Sequence, residues 1–227
     1  MNYRQQETSE AVILNPSAPA VGAVIWLHGL GADGNDFVPI AGELDLPESA
    51  PLRFVFPHAA VRPVTINNGY RMRAWYDIKG IALSAAEDET GIRESEQVVR
   101  DYIQRELDAG LAAKRIVIAG FSQGGAIALQ AGLRYPQRLG GIMALSTYLP
   151  LRDTLASERS SANSDVAILM CHGTRDAVVP LQLGAMSRDR LLHHGYAVQW
   201  HEYPMEHQVS VQEIEDIAGW LRARVTA

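Results

Sequence analysis

The stretch VIAGFSQGGAIAL, from Val117 to Leu129, decides the fold of this chain. Residues 115–119, which lead into its centre, are rich in β-branched side chains, as expected of a buried strand. The pentapeptide GFSQG follows, and a helical pattern begins directly after it. A strand, a Gly-x-Ser-x-Gly turn and a helix in this order predict a tight turn that exposes the Ser122 hydroxyl above a sheet. The alternative is an ordinary turn in which Ser122 caps the helix.

The rest of the chain alternates short apolar runs with amphipathic patterns. One helical face carries Ile92, Val99, Ile103 and Leu107, and a second helical pattern extends from Val211 to Val225. The alternation predicts an α/β fold, with a mostly parallel central sheet and helices on both of its faces. The predicted strands are Ala11–Leu14, Val21–Leu27, Arg53–Phe56, Arg115–Ala119, Gly141–Ser146, Val166–Cys171 and Ala197–Tyr203. We expect residues 1–227 to form one domain, with its chemistry at the carboxyl ends of the strands.

One long segment, from Pro57 to about Thr90, lacks a clear periodic element. Long irregular segments in compact domains are usually either mobile or functional. We therefore expect this segment to form part of the wall over the active site, with a surface meander as the alternative.

Composition and charge exclude several classes of protein. The chain is 47% hydrophobic and 20% charged, with a net charge of −6. The acidic balance argues against nucleic acid or an anionic membrane as the main partner. The N-terminus does not resemble a signal peptide, and no apolar run reaches transmembrane length. The single cysteine, Cys171, cannot form an intramolecular disulfide, so we expect a cytoplasmic protein without stable membrane insertion.

A serine nucleophile needs a base, and the base needs an orienting acid. In an α/β-hydrolase arrangement both follow the serine in the chain, in the order acid then histidine. Asp176 lies in a turn shortly after the buried run that ends at Cys171, and His207 lies between the last predicted strand and the last helix. These positions predict Asp176 as the acid and His207 as the base, although Asp176 could also be a simple turn residue.

The other histidines fit the role of base less well. His201 alternates within a predicted strand, His193 and His194 close a helix, and His172 at a strand end could support the site. Adjacent histidines on a helix also make a poor metal pair, so we expect no metal site.

The oxyanion of an acyl-transfer reaction needs two fixed hydrogen-bond donors. One is expected from the backbone N–H of Gln123, directly after the candidate nucleophile, and the other from the early His-Gly loop at Leu30. That loop also spells G-x-G-x-x-G over residues 29–34, the dinucleotide-binding pattern. The acid expected at the end of the next strand is missing, so we expect no dinucleotide cofactor.

Six segments together resemble the carboxylesterase and acyl-protein thioesterase family of α/β-hydrolases. They are LHGLGADGNDF, RAWYDI, GIRES, GFSQGGAIAL, HGTRDAVVP and YPMEHQVSVQEI, and the resemblance spans nearly the whole chain. It implies the α/β-hydrolase fold, the catalytic set Ser122, Asp176 and His207, and oxyanion donors at Leu30 and Gln123. It also implies an acyl-binding surface that includes Trp75 and Leu30, hydrolysis without metal or organic cofactor, and a homodimer as one assembly known in the family.

Two features depart from the family pattern. The family usually has glycine before the catalytic histidine, where this chain has Glu206. If that position required a positive φ, glutamate would cost about 1 kcal/mol or more. A carboxylate there would also favour the charged imidazole, so replacing it with glycine should move the acidic limb of the pH–rate profile downward. The second departure, Asn67-Asn68-Gly69, lies in the irregular segment and bears on the contour of the acyl site.

The resulting prediction is a serine carboxylesterase that hydrolyses carboxylic esters of short-to-medium acyl chains through an acyl-enzyme intermediate. Two alternatives remain open. One is acyl-protein thioesterase or lysophospholipase activity on longer chains, since the same site serves both. The other is a ligand-binding relative that catalyses no reaction. This alternative is the weaker one, because none of the predicted catalytic positions is occupied by a different residue.

Overall fold

The computed structural model describes residues 3–80 and 86–225. Its main element is an eight-stranded sheet. The sheet strands are β1 (Tyr3–Glu7), β2 (Ala11–Pro16), β3 (Gly22–Leu27), β4 (Leu52–Pro57), β7 (Ile116–Phe121), β8 (Gly141–Leu145), β9 (Ile168–Gly173) and β10 (Val198–Tyr203). Their order in the sheet is β1-β2-β4-β3-β7-β8-β9-β10. The last six strands of this order run parallel, whereas β2 pairs antiparallel with both β1 and β4. The predicted mostly parallel α/β sheet is confirmed, and each of the seven predicted strands is present within two residues at either end.

The described residues also form six α-helices, of which the first five lie between strands and the last follows β10. They are α1 (Val38–Glu43), α2 (Glu89–Asp108), α3 (Gln123–Arg134), α4 (Leu155–Glu158), α5 (Leu181–His193) and α6 (Val211–Val225). The helical faces predicted around Ile92 and Ile217 belong to α2 and α6, and both residues are fully buried.

Alternation along the central strands builds a separate apolar core on each face of the sheet. On β3, Ile25 and Leu27 face the core that α2 and α3 cover. Val24 and Trp26 face the opposite core, which α1 and α6 cover. Successive side chains of a strand point to opposite faces, so a strand buried on both sides reads as a continuous apolar run. The sheet is therefore fixed between two layers of helices, and its strand ends are fixed with it.

Two parts of the fold were not predicted. The segment expected to be irregular contains a hairpin formed by β5 (Val61–Val64) and β6 (Tyr70–Arg73), and α2 begins within it at Glu89. Thr65–Asn67 form one turn of 3₁₀-helix in the hairpin, and Asn68 and Gly69 have positive φ values of 55° and 74°. The second unpredicted element is the edge strand β1. Residues 81–85 of the same segment lie outside the described part of the chain.

The only cysteine of the sequence lies in the second core. Cys171 on β9 is 1% exposed, and its sulfur lies 3.7 Å from the hydroxyl of Tyr203. Burial raises the pKa of the Cys171 thiol well above its usual value, so this side chain is a protonated thiol in the folded protein. None of the helices within 3–80 and 86–225 is long and apolar enough to cross a membrane.

Candidate active site

Ser122 lies on a sharp turn between β7 and α3. Its φ of 53° and ψ of −120° are unusual for a residue with a side chain. Neighbouring glycines make the turn sterically feasible: a Cβ on Gly120 would clash with the backbone of Gly124. A Cβ on Gly124 would in turn clash with the carbonyl oxygen of Leu27 on β3. The Gly-x-Ser-x-Gly pattern thus allows α3 to approach the sheet closely and leaves Ser122 at the strand end.

Backbone hydrogen bonds hold the turn in place. The N–H of Ser122 donates to the carbonyl of Leu145 at 2.8 Å, and the hydroxyl of Thr147 donates to the carbonyl of Ser122 at 2.6 Å. The Ser122 side chain makes no capping hydrogen bond to α3. The structure therefore contradicts the helix-cap alternative, and the hydroxyl is directed elsewhere.

The hydroxyl oxygen of Ser122 lies 2.9 Å from Nε2 of His207. The other ring nitrogen, Nδ1, lies 2.7 Å from Oδ2 of Asp176. The second carboxylate oxygen of Asp176 accepts from the N–H groups of Val178 and Val179, at 2.9 and 2.8 Å. An Nδ1–H tautomer donates to Asp176 and leaves Nε2 free to accept the serine proton. The three predicted residues are thus brought together in hydrogen-bonding order.

The loops that carry Asp176 and His207 are tied to each other. The N–H of Thr174 donates to the carbonyl of Tyr203 at 2.8 Å, and the N–H of Arg175 donates to the carbonyl of Met205 at 3.0 Å. These bonds continue the pairing of β9 with β10 beyond the strand ends. Acid and base therefore sit on two adjacent, backbone-linked loops.

His172 lies beneath this pair. Its side chain is 1% exposed, Nε2–H donates to the carbonyl of Val179 at 2.8 Å, and the same nitrogen lies 3.6 Å from Oδ2 of Asp176. Burial lowers its pKa, which favours the neutral ring. His172 thus helps to hold the turn that presents Asp176.

The two predicted oxyanion donors lie on either side of Ser122. Gln123 is the first residue of α3, so its N–H has no intrahelical acceptor. The N–H of Leu30 donates to no group in residues 3–80 or 86–225. A Cβ built on Gly29 would lie 3.6 Å from the Cβ of Ser122, which places the Leu30 loop against the serine. Both N–H groups therefore lack an acceptor among the described residues, and both belong to segments next to Ser122.

Trp75 connects these two donor segments. Its indole N–H donates to the carbonyl of His28 at 2.9 Å, and its backbone N–H donates to Oε1 of Gln123 at 2.8 Å. The Gln123 side chain then donates from Nε2 to the carbonyl of Tyr76 at 2.7 Å. Trp75 is 2% exposed, so its ring lies in the core beside the loops. Sequence reasoning assigned Trp75 to the acyl surface and gave no indication of this linkage.

His28 is a second support that sequence reasoning did not assign. Its Nδ1–H donates to the carbonyl of Gly29 at 2.7 Å, and Nε2 accepts from the N–H of Ala59 at 3.0 Å. Burial lowers the pKa of His28 to about 4. The neutral ring thus joins the Leu30 loop to the end of β4. On its outer side, the same loop is joined to the hairpin, because the N–H of Gly31 donates to the carbonyl of Arg73 at 2.9 Å.

A cavity of about 350 Å³ opens beside His207. It is lined by Arg175, Ala177, Val178, Glu206, His207 and Gln208. Glu206 is not among the non-glycine residues with positive φ, so the backbone strain considered for this position is absent. The expected effect of its carboxylate on the pH–rate profile stays a prediction.

A buried carboxyl group lies just beyond the His207 loop. Glu213, in the first turn of α6, is 0% exposed, and no side chain of the described residues donates a hydrogen bond to its carboxyl oxygens. Burial raises its pKa to about 8, against the opposite effect of the Ser210 backbone. Burial thus favours the protonated, neutral carboxyl group.

The site has the groups that acyl transfer requires: a hydroxyl bonded to an imidazole, a carboxylate bonded to the same ring, and two free N–H donors. Within residues 3–80 and 86–225, no cluster of three or more His, Cys, Asp or Glu side chains could hold a metal ion. A family model described as phospholipase/carboxylesterase matches residues 8–225. The chain belongs to the phospholipase/carboxylesterase family.

Relatives of this family member include acyl-protein thioesterase 1 of Yarrowia lipolytica, 39% identical over 220 residues that cover 95% of this chain and 97% of the relative. Among solved structures, Arabidopsis thaliana SOBER1 superposes with a TM-score of 0.85 at 32% identity, covering 89% and 98% of the two chains. Zea mays acyl-protein thioesterase 2 gives the same TM-score at 27% identity, covering 95% and 98%. The resemblance of the sequence motifs is confirmed, and the chain is an enzyme that hydrolyses esters or thioesters.

Proposed function

We propose that this protein is a serine thioesterase that releases acyl groups from cysteine side chains of proteins. The observation that carries the proposal is the hydrogen-bonded series Ser122–His207–Asp176, with 2.9 Å and 2.7 Å between the joined atoms, beside two free N–H groups. In this reading Ser122 is the nucleophile, His207 the base and Asp176 the orienting acid. Leu30 and Gln123 are the oxyanion donors.

In the first half of the reaction, the hydroxyl oxygen of Ser122 attacks the thioester carbonyl carbon. His207 takes the hydroxyl proton at Nε2 while Asp176 holds Nδ1–H and stabilises the imidazolium. The N–H groups of Leu30 and Gln123 bind the developing oxyanion. The C–S bond then breaks, and Nε2–H gives its proton to the leaving sulfur. The products of this half are a free thiol and an acyl ester of Ser122.

In the second half, water enters beside His207 and loses a proton to Nε2 as it attacks the acyl-enzyme. The same N–H donors bind the second oxyanion. Collapse returns the proton to the oxygen of Ser122 and releases the carboxylic acid. His207 thus acts alternately as base and acid, which requires no group outside the chain.

Two kinds of substrate fit this chemistry, and the relatives favour one of them. Sequence motifs predicted a carboxylesterase for short-to-medium acyl chains. Relatives named acyl-protein thioesterase 1, at 39% and 36% identity over most of this chain, support the thioesterase alternative instead. Sulfur is also the better leaving group, since a thiol is far more acidic than an alcohol.

The test compares thioesters and oxygen esters of the same acyl groups, from acetyl to palmitoyl, on one peptide that carries either cysteine or serine. We expect kcat/KM to be higher for the thioester of each acyl group and to vanish in Ser122→Ala. The matched control is Ser157→Ala, since Ser157 is an exposed serine at α4, away from the site. Faster turnover of the oxygen esters would restore the carboxylesterase interpretation.

The same protein preparation also tests the alternative that the chain binds a ligand without hydrolysing it. A serine-directed fluorophosphonate should label the protein at Ser122 and should fail to label Ser122→Ala. A folded protein that neither reacts with the probe nor hydrolyses any of the substrates would contradict the proposal as a whole.

A further inference from the structure

We infer that the cavity beside His207 is the subsite for the leaving group, and that Arg175 and Glu206 make the enzyme sensitive to the charges around the acylated cysteine. This inference rests on the proposed function, because it concerns the thiol half of that substrate. It adds two specificity-determining residues that take no part in the chemical steps.

The position of the cavity is the first argument. Nε2 of His207 gives its proton to the leaving sulfur, so the leaving group must depart on the His207 side of Ser122. The N–H groups of Leu30 and Gln123 bind the acyl oxygen and are supplied by two other loops. His207 itself lines the cavity, and neither Leu30 nor Gln123 does, so the cavity lies on the His207 side of the site.

The second argument is the size and lining of the cavity. Its volume of about 350 Å³ lies at the lower end of pockets that hold small molecules, enough for a cysteine and parts of its neighbours. Ala177 and Val178 supply an apolar surface, and Val178 is 58% exposed. A large exposed apolar side chain within a concave site next to a base is suited to contact with a substrate.

Opposite charges in the lining of the cavity are the third argument. Arg175 follows β9 and Glu206 follows β10, and both line the cavity with exposed side chains. Neither forms an ion pair with another residue in the described part of the chain, although ten pairs between arginine and a carboxylate occur there. Their charges are thus available to a ligand.

Hydrogen bonds hold the backbone of both residues in place. The N–H of Arg175 donates to the carbonyl of Met205, directly before Glu206, at 3.0 Å. On the other side, the N–H of Gln208 donates to the carbonyl of Glu206 at 3.0 Å. The guanidinium can therefore pair with an acidic residue near the cysteine, and the Glu206 carboxylate with a basic one, without rearrangement of either loop.

The experiment uses three octanoyl peptides that differ only in the residues flanking the acylated cysteine, which are aspartate, glutamine or lysine. The readout is the ratio of kcat/KM for the acidic peptide to that for the basic peptide. Arg175→Gln should lower this ratio and Glu206→Gln should raise it, each by about 1.5- to fivefold, the range for an exposed ion pair. Both shifts should shrink as salt is added, because the pairs are screened.

Two variants control for a general effect of net charge. Arg4→Gln on β1 and Glu43→Gln on α1 change the same charges at exposed positions distant in the chain from the loops of the site. The ratio should stay at its wild-type value in both. Equal shifts in the controls, or no shift in Arg175→Gln and Glu206→Gln, would overturn the assignment of the subsite.

The same peptides with octanoylated serine separate this inference from the proposed function. If the oxygen esters are hydrolysed faster than the thioesters and the charge shifts persist, the subsite stands and the thioesterase proposal fails. If the thioesters are hydrolysed faster and no charge shifts occur, the thioesterase proposal stands and the subsite assignment fails. Hydrolysis of neither series by the folded protein would overturn both.

Discussion

The indole N–H of Trp75 donates a hydrogen bond to the carbonyl oxygen of His28, at a distance of 2.9 Å. This bond joins the chain after the hairpin to the loop that carries Leu30. Since the backbone of Trp75 also binds the side chain of Gln123, one residue fixes both segments whose N–H groups would bind the oxyanion. The distance between the two donors therefore depends on Trp75, which takes no part in proton transfer itself.

Replacing Trp75 with phenylalanine removes the indole donor and keeps an aromatic ring. We expect kcat to fall about tenfold, less than the loss of a whole oxyanion donor, because the Leu30 loop becomes less well positioned. KM should change little, since the hydrogen bond acts on the transition state. Measurement of kcat and KM with one thioester decides the point.

Trp26→Phe is the matched control for this change. Trp26 is 1% exposed, and its indole nitrogen has no hydrogen-bond partner among the described residues. Both substitutions should lower the free energy of unfolding, but only the one at Trp75 should lower kcat. An equal loss of kcat in the two variants would mean that packing, rather than the bond to His28, positions the loop.

Asp176→Asn should reduce kcat roughly 10⁴-fold with little change in fold. An amide at this position can donate to Nδ1 of His207, and it thereby favours the tautomer that carries its proton on Nε2. That tautomer cannot accept the proton of Ser122. The control is Asp189→Asn on α5, an exposed aspartate paired with Arg188. Near wild-type kcat in Asp176→Asn would show that Asp176 is only a turn residue.

Glu213 makes stability depend on pH. Burial raises its pKa from 4.5 to about 8, so between these values the folded state holds a proton that the unfolded state has lost. The contribution of this group to stability is complete below about pH 4.5 and is lost as the pH rises through about 8. The Glu213→Gln variant has no ionisable group at this position, so its stability lacks this dependence on pH. From about pH 5 to about pH 9 its free energy of unfolding should rise by a few kcal/mol relative to wild type.

Urea unfolding at several pH values measures this difference. Glu215→Gln, an exposed position on the same helix, serves as the control and should show no such trend. Parallel pH curves for wild type and Glu213→Gln would contradict a neutral buried Glu213.

Two glycine-to-alanine changes should have opposite effects on stability. In Gly124→Ala the new methyl group would clash with the carbonyl of Leu27, so we expect several kcal/mol of destabilisation or failure to fold. At Gly219 on α6, a Cβ would meet no atom within 4 Å, and alanine is the better helix former. Gly219→Ala should therefore stabilise the protein by about 0.5–1 kcal/mol. Thermal unfolding of both variants tests the close approach of α3 to the sheet.

The sequence predicted those elements whose burial leaves a simple pattern. Strands such as Gly141–Leu145 are buried on both faces and read as apolar runs, and the positions after them pointed to Asp176 and His207. Edge strand β1, with sequence YRQQE, is mostly exposed and has no apolar alternation, so pairing with β2 alone defines it. The β5–β6 hairpin escaped prediction for a similar reason, because only Val64 among its strand residues is buried.

Support for the site was harder to predict than its reacting groups. Chain order assigns Ser122, Asp176 and His207, since each follows a strand. The bonds from Trp75 to His28 and Gln123 join residues 47 and 48 positions apart, and no local pattern indicates such partners. Burial of His28 and Glu213 likewise depends on the packing of distant segments. The sequence predicts that both faces of the sheet are covered. It does not predict which polar side chains are buried in the two cores.

The burial of Cys171 has a consequence if the substrates are thioesters, as proposed. Thioesters exchange readily with free thiolates, so an accessible cysteine on the enzyme would take up acyl groups from its own substrates. The only cysteine of this chain is enclosed in the core with its proton retained. The folded chain thus offers a thioester the Ser122 hydroxyl as nucleophile, and its own cysteine does not compete for the acyl group.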